Sequence, residues 1–350
     1  MRGKKIVSVM AAMALAMSFA FAGCGEKSEK IDTEATLITI NEGEDTVSLG
    51  YGNFVARYTQ AYYDQMYMAY FGETMWQTDL QGTGTTFEDD IKNSILDVIE
   101  EDYLCKIHAD EYGVSLTDED KAAIDEAVEK FMSSNSQEAL DAVGATEEYV
   151  RTYLEYETYE NKVAAAVKES AGIQVSKEEA WQRAFTYALF GTATATDADG
   201  NQIEVTDEYI AQQEAAATAL AEAEDFDSAL ENSGATTSSS TYTKGDVESA
   251  YFDTAVIEAA EALEEGQVSS VVYVEGTGYY VIRIDSDYDE DATKAQINNL
   301  TSEKEGAFYE DTLASWKEAV VWSVDEAQWA LVKYDVLFKA VEAEEAADAE

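Results

Sequence analysis

Residues 266–284, GQVSSVVYVEGTGYYVIRI, alternate small, branched and aromatic side chains on either side of a Gly-Thr-Gly turn. Period-two alternation interrupted by glycine is the signature of two strands joined by a hairpin. Its second strand carries adjacent tyrosines, Tyr279 and Tyr280, and its centre holds no acid, base or nucleophile.

Working upstream, a short helix is expected from Thr254 to Leu263, a Ser/Thr loop from Ser233 to Thr243, and an Ala-rich helix from Glu208 to about Leu230. Asp199-Gly200 marks a hairpin turn after a strand in FTYALFGTATAT (185–196), and Ser176-Lys177-Glu178-Glu179 opens another short helix. Strands and helices in that order predict a compact α+β domain over 173–290.

The texture before it is helical, over 24–172, after two short strands within 35–49 around Glu42-Gly43. From Tyr51 to Trp76, Phe54, Tyr58, Tyr62, Met66 and Tyr70 recur every four residues, with Tyr63, Tyr67 and Phe71 beside them. The arc is wider than one buried stripe, so it can supply both a core and an adaptable apolar surface for partners. Further helices carry Ile91, Ile95 and Ile99, start at the capping signal Thr117-Asp118-Glu119-Asp120, and run from about Thr146 to Ser170. Residues 291–339 turn helical again through Leu313 and Trp316, with a last helix through Trp329, Tyr334 and Phe338, and are expected to pack on the N-terminal region; 340–350 is an acidic tail.

The chain has 350 residues and a formal net charge of −50, which excludes a nucleic-acid partner because too few cations are present to displace phosphate counterions. It contains no proline, so Gly, Asn, Asp and Ser make the turns. At the N-terminus, Arg2, Lys4 and Lys5 precede an apolar run to Ala22, which reads as a secretory signal over 1–23. Its end, Phe21-Ala22-Gly23-Cys24, resembles a bacterial lipobox, with Phe21 where Leu is usual, and implies lipidation of Cys24. A retained membrane helix is the alternative, although the run is at the short edge of a span. Cys105 is then the remaining thiol, with no internal disulfide and a packing role.

This order of parts resembles the extracytoplasmic foldases of the PrsA and SurA type, whose central domain is a parvulin-type peptidyl-prolyl isomerase. Ala259-Ala260, Leu263, Gly266-Gln267-Val268-Ser269, Val272 and Gly278-Tyr279 fall where parvulins carry Ala-Ala, Leu, Gly-x-Val-Ser, Val and Gly-Tyr. Upstream, EDFDSALENSG (224–234) is similar to the family's helix that is followed by a serine-rich loop, and Gly245-Asp246 to its Gly-Gly-Asp turn. The resemblance implies a chaperone or foldase for newly secreted or unfolded polypeptides, held by its lipid on the outer face of the cytoplasmic membrane, without a cofactor, and with a homodimer as a further option.

The departures concern the chemistry. Parvulins carry a histidine at the centre of the first strand and another after Gly-Tyr in the last; those positions hold Tyr187 and Tyr280 here. The phenylalanine of the family's proline pocket corresponds to Val256 or Ile257. The barrier to peptide isomerisation, about 18–20 kcal/mol, comes from amide resonance, so twisting the bond in an apolar pocket and hydrogen-bonding the rotated amide can lower it without a base or nucleophile. Tyrosine hydroxyls both donate and accept, and could replace imidazoles there; equally, the two rings suit packing across a sheet. Isomerase activity is therefore expected to be weakened or lost, and a peptide- or solute-binding lipoprotein is the alternative. Asp285, Asp287 and Asp289 resemble the start of a calcium loop, but Glu290 and Gln296 stand where it needs Gly and Glu, so no metal is expected. The single histidine, His108, lies in the N-terminal region, where a packing or helix-surface role is expected.

Overall fold

The computed structural model describes residues 31–196, 202–248 and 251–338. The signal segment, Cys24, the Asp199-Gly200 turn and the acidic tail lie outside the described residues. The fold is mixed helix and sheet, in two compact units: 31–172 with 306–338, and 173–305.

The first unit opens with β1 (Thr36–Ile40) and β2 (Asp45–Ser48), followed by α1 (Leu49–Phe71), α2 (Phe87–His108), α3 (Asp118–Ser134), α4 (Gln137–Val143) and α5 (Glu147–Ser170). Each of these helices starts on a hydroxyl that accepts a backbone N–H of the first turn: Ser48, Thr86, Thr117, Ser136 and Thr146. Thr86 with Asp89 and Thr117 with Asp120 form reciprocal capping boxes, each cap adding about 1 kcal/mol. The core joins Leu37, Ile38 and Ile40 of β1 to Phe54, Ile99, Phe131 and Leu154 of the helices. Gly52 lets α1 sit on β1, since a side chain there would drive its Cβ to 2.3 Å from a Leu37 methyl.

In the second unit come β3 (Gln182–Gly191), β4 (Ala195–Thr196), β5 (Gln202–Ile203), α6 (Asp207–Ala221), α7 (Phe226–Glu231), β6 (Thr236–Thr243), α8 (Thr254–Glu261), β7 (Val272–Val274) and β8 (Gly278–Ser286). The long α9 (Glu290–Ala319) passes from this unit into the first, which is completed by β9 (Trp322–Val324) and α10 (Glu326–Trp329). The main sheet is antiparallel, in the order β6-β3-β8-β7. One face packs Phe185, Ile282 and Ile284 against Val256, Ile257 and Ala260 of α8. The other packs Ala188, Phe190 and Val281 against Ala217 and Leu220 of α6 and Phe226 of α7. The predicted hairpin is present as β7 and β8, and Gly278 is obligatory in it: its φ is +145° and an added Cβ would lie 2.2 Å from the Phe190 carbonyl oxygen.

Several expectations are corrected. The Ser/Thr loop is the strand β6, paired with β3 along its whole length, so a tertiary partner imposes extended backbone on a segment without apolar alternation. The Ala-rich helix breaks between Ala221 and Phe226, where the Asp225 carboxylate captures the Ser228 N–H at 3.1 Å and restarts the helix as α7. Lys177–Ala180 is a turn, α1 ends at Phe71 on Gly72, and α4 is an additional helix. The final helix stops at Trp329. Beyond it, buried side chains take the carbonyls of the irregular segment: Lys92 those of Trp329 and Val332 at 3.1 and 2.7 Å, Arg57 that of Lys333 at 2.8 Å, and Gln60 that of Val336 at 3.0 Å. β9, pairing with β1, was likewise not anticipated.

Candidate functional site

Tyr187 lies opposite Ile282 and Tyr280 opposite Leu189, which puts both tyrosines on the α8 face of the sheet, diagonal to each other. Their ring centroids are 5.9 Å apart and tilted by 47°. Both are half-buried. Phe252 closes the cluster, edge-on to Tyr187 at 5.3 Å and to Phe185 at 5.2 Å. Its position follows from the helix start beside it: Asp253 caps α8 by accepting the Ala255 N–H at 2.9 Å. Burial, with Tyr187 and Asp253 nearby, holds the Tyr280 hydroxyl above the ordinary tyrosine range, so it stays a neutral phenol able to donate and accept. Tyr279 leaves β8 on the opposite face, where it meets Tyr273 at 5.0 Å and packs against the cluster under α6.

Val256 and Ile257 are fully buried on the inner face of α8, against the sheet, and present no surface to a ligand. Phe252 is the aromatic that sequence reasoning missed; its signal is the Tyr251-Phe252 pair directly ahead of the Asp253 cap. At one end of the sheet, Arg183 is buried and donates to Tyr242 Oη, Ala260 O and Leu263 O, with Asp287 2.9 Å from its Nε. The adjoining cavity of about 350 Å³ sets two basic side chains, Arg183 and Lys244, against four acidic ones, Glu261, Glu264, Glu265 and Asp287, an acidic excess, while the Arg183 bonds tie β3 to the end of α8.

In the first unit the aromatic arc divides. Tyr58 is buried, stacked on Phe54 at 5.9 Å and edge-on to Tyr153 at 5.8 Å, and burial holds its hydroxyl well above the usual range. Tyr62 and Met66 are 39% and 49% exposed and continue into exposed Tyr67, Tyr70 and Phe71. His108 stacks on Trp316 with centroids 4.3 Å apart, and its Nδ1 is 2.8 Å from Glu111. Cys105 is buried against the Tyr309 hydroxyl at 3.4 Å, and burial pushes its thiol up to about 12, which makes it inert.

Asp285, Asp287 and Asp289 diverge to separate partners, Arg283, Arg183 and the N–H of Ala292. Among the described residues no group of three or more His, Cys, Asp or Glu could hold a metal ion, and no helix is long and apolar enough to cross a membrane.

Among solved structures, the foldase protein PrsA of Lactococcus lactis is 19% identical to this chain, with a TM-score of 0.33 over 85% of this chain and 97% of that one. PrsA of Streptococcus pneumoniae is 16% identical, with a TM-score of 0.31 over 74% and 98%. A chain from the Campylobacter jejuni SurA-like chaperones PEB4 and Cj1289 is 11% identical, with a TM-score of 0.28 over 83% and 98%. No curated protein matches the sequence. Residues 185–297, which hold the sheet, its helices and the tyrosine pair, match the model of the PPIC-type PPIASE domain, and the second unit therefore carries a domain of the PPIC-type peptidyl-prolyl isomerase family.

Proposed function

We propose that the protein is an extracytoplasmic folding factor, held at the membrane by a lipid on Cys24, that receives newly secreted or unfolded chains and whose PPIC-type domain has weakened or lost isomerase activity. The observation that carries this reading is the pairing of Tyr187 and Tyr280, 5.9 Å apart beside Phe252, in a unit that contains no histidine. Two tyrosine hydroxyls keep hydrogen-bonding capacity beside an apolar wall, so a prolyl bond can still be held there. They lack the imidazole that is charged or neutral at working pH. Uncatalysed prolyl isomerisation takes tens of seconds, long enough to expose a chain to aggregation, so holding the chain is useful even without catalysis. Exposed Tyr62 and Met66, with their aromatic neighbours, supply the apolar contact for such chains.

Two assays on the full chain test the proposal together: isomerisation of an Ala-Pro-Phe-type peptide, and suppression of aggregation of a reduced client protein. The expected result is clear suppression with slow or undetectable isomerisation. Inactivity in both would overturn the foldase reading in favour of a peptide- or solute-binding lipoprotein.

A further inference from the structure

The main sheet of the second unit ends at β6, which pairs with β3; among the described residues no strand covers its other edge. The direction of its backbone groups follows from the ladder. Lys244 N donates to Trp181 O at 2.7 Å, while Gln182 turns its own groups away from β6, its N–H to Thr293 Oγ1 at 3.0 Å and its carbonyl to the N–H of Asp289 at 2.9 Å. In an antiparallel pair this alternation continues, so Thr236, Ser238, Ser240 and Tyr242 bond toward β3. Thr237, Ser239, Thr241 and Thr243 then direct their N–H and carbonyl groups outward. The Thr243 carbonyl is taken by Asp246 N at 3.0 Å, and the Ser239 carbonyl has a long contact of 3.4 Å from Ser238 Oγ. Thr237, Ser239 and Thr241 remain as a ready backbone template.

Natural edges are blunted by lysine, proline, a bulge or a short length. The β7 edge has three residues. β6 has eight, TTSSSTYT, in unbroken register with β3 and mostly exposed, with no charge and no proline. We infer that this edge takes up an extended polypeptide segment as a further antiparallel strand, holding the chain on which the PPIC-type domain acts. The inference rests on the foldase reading and names the surface and the register of the bound chain.

Charge selects the occupant. With a formal net charge of −50, a second copy is repelled at short range. On the α6 face of the sheet, Asp227 and Asp285 flank Arg283 at 2.5 and 2.8 Å, and Asp285 bonds Thr186 Oγ1 at 2.6 Å, which in turn lies 3.0 Å from Ser239 Oγ. This row carries an excess negative charge and ends at the open edge. A neutral-to-basic segment, with Lys or Arg on that face, is the complementary chemistry.

The test uses the full chain and a capped heptapeptide of Thr, Val and Lys in alternation, followed by hydrogen exchange. The expected result is slowing of at least about tenfold at the amides of Thr237, Ser239 and Thr241, with none from a peptide N-methylated on its bonding edge. Ser239→Pro removes one outward N–H and leaves the β3 bonds in place, as proline is tolerated on edges. It should weaken the peptide at least about tenfold with the unit's thermal transition retained. Absence of binding, binding without protection of these amides, or protection that rises with protein concentration alone would each overturn the inference, the last by assigning the edge to a second copy. Aggregation suppression read in the same samples separates this outcome from failure of the foldase reading: an active chaperone with an unprotected edge loses only the edge.

Discussion

Tyr279 and Tyr280 are neighbours in sequence and leave β8 on opposite faces, so Tyr280 meets Tyr187 and Tyr279 meets Tyr273. The alternation of a strand makes that division legible from sequence, whereas the meeting of Tyr187 with Tyr280 depends on the β3–β8 register, which it does not show. Phe252 was not legible, because it sits in an irregular segment and is placed by the cap at Asp253 rather than by any periodic pattern. For Val256 and Ile257, which the structure buries, the spacing of a short helix shows an apolar face but not whether that face lines a cleft or the core. On the proposed reading, the family's histidines can be put back at this scale. Replacing Tyr187→His and Tyr280→His together places imidazoles on the same face, and prolyl isomerase kcat/KM should rise at least about tenfold, less than the roughly hundredfold that a positioned proton-transferring side chain contributes at the low end. Tyr280→Phe alone should lower any residual activity. Peptide isomerisation kinetics at pH 7 check both, and an unchanged rate in the double variant removes these positions from the reaction.

At the scale of elements, the segment after Trp329 has little regular structure and is held by side chains of α1 and α2 rather than by its own ladder. Asp64 is its hinge pin: one carboxylate oxygen accepts Trp76 Nε1–H at 2.7 Å, the other Phe338 N–H at 2.9 Å and Gln60 Nε2–H at 3.2 Å. Asp64→Ala strands these donors in a buried site, and the first unit should lose about 2–4 kcal/mol in urea unfolding, with the second unit unchanged. The same elements show where sequence reading succeeds. α3 and α5 carry their own starts, in Thr117 and Thr146 caps followed by apolar residues at helical spacing, and those starts were legible, whereas α2 was legible from the spacing of Ile91, Ile95 and Ile99 without its Thr86 cap. β6 and the final segment were not, because their conformation comes from distant partners: β3 for the serines and threonines, and Lys92, Arg57 and Gln60 for the carbonyls. Local propensity contains no term for such contacts.

For the whole molecule the governing quantity is its negative charge, and the first unit stores part of its acidity in protonated form. Burial raises the carboxyls of Asp64, Glu88, Glu100, Glu157 and Glu160 above their ordinary range, and pushes Asp102, 2% exposed and close to Glu157, Glu160 and Glu101, up to about 8. At Asp102 the folded chain therefore holds a proton that the unfolded chain releases near pH 4. Stability is therefore fully present below that point and falls as pH rises toward the folded value of Asp102, by up to about 1.4 kcal/mol per pH unit within that window. For Asp102 the window ends near pH 8. The first unit should then be more stable at pH 5 than at pH 8. Asp102→Asn, which cannot ionise, should flatten this slope and stabilise the unit at pH 8 by up to about 5 kcal/mol. Surface repulsion among the exposed carboxylates acts in the same direction but is screened by salt, whereas the buried group is screened far less. Urea unfolding across pH 5–8 at about 0.05 and 0.5 M salt separates the two contributions. A difference between wild type and Asp102→Asn that persists at high salt assigns the slope to Asp102, and one that vanishes assigns it to the surface.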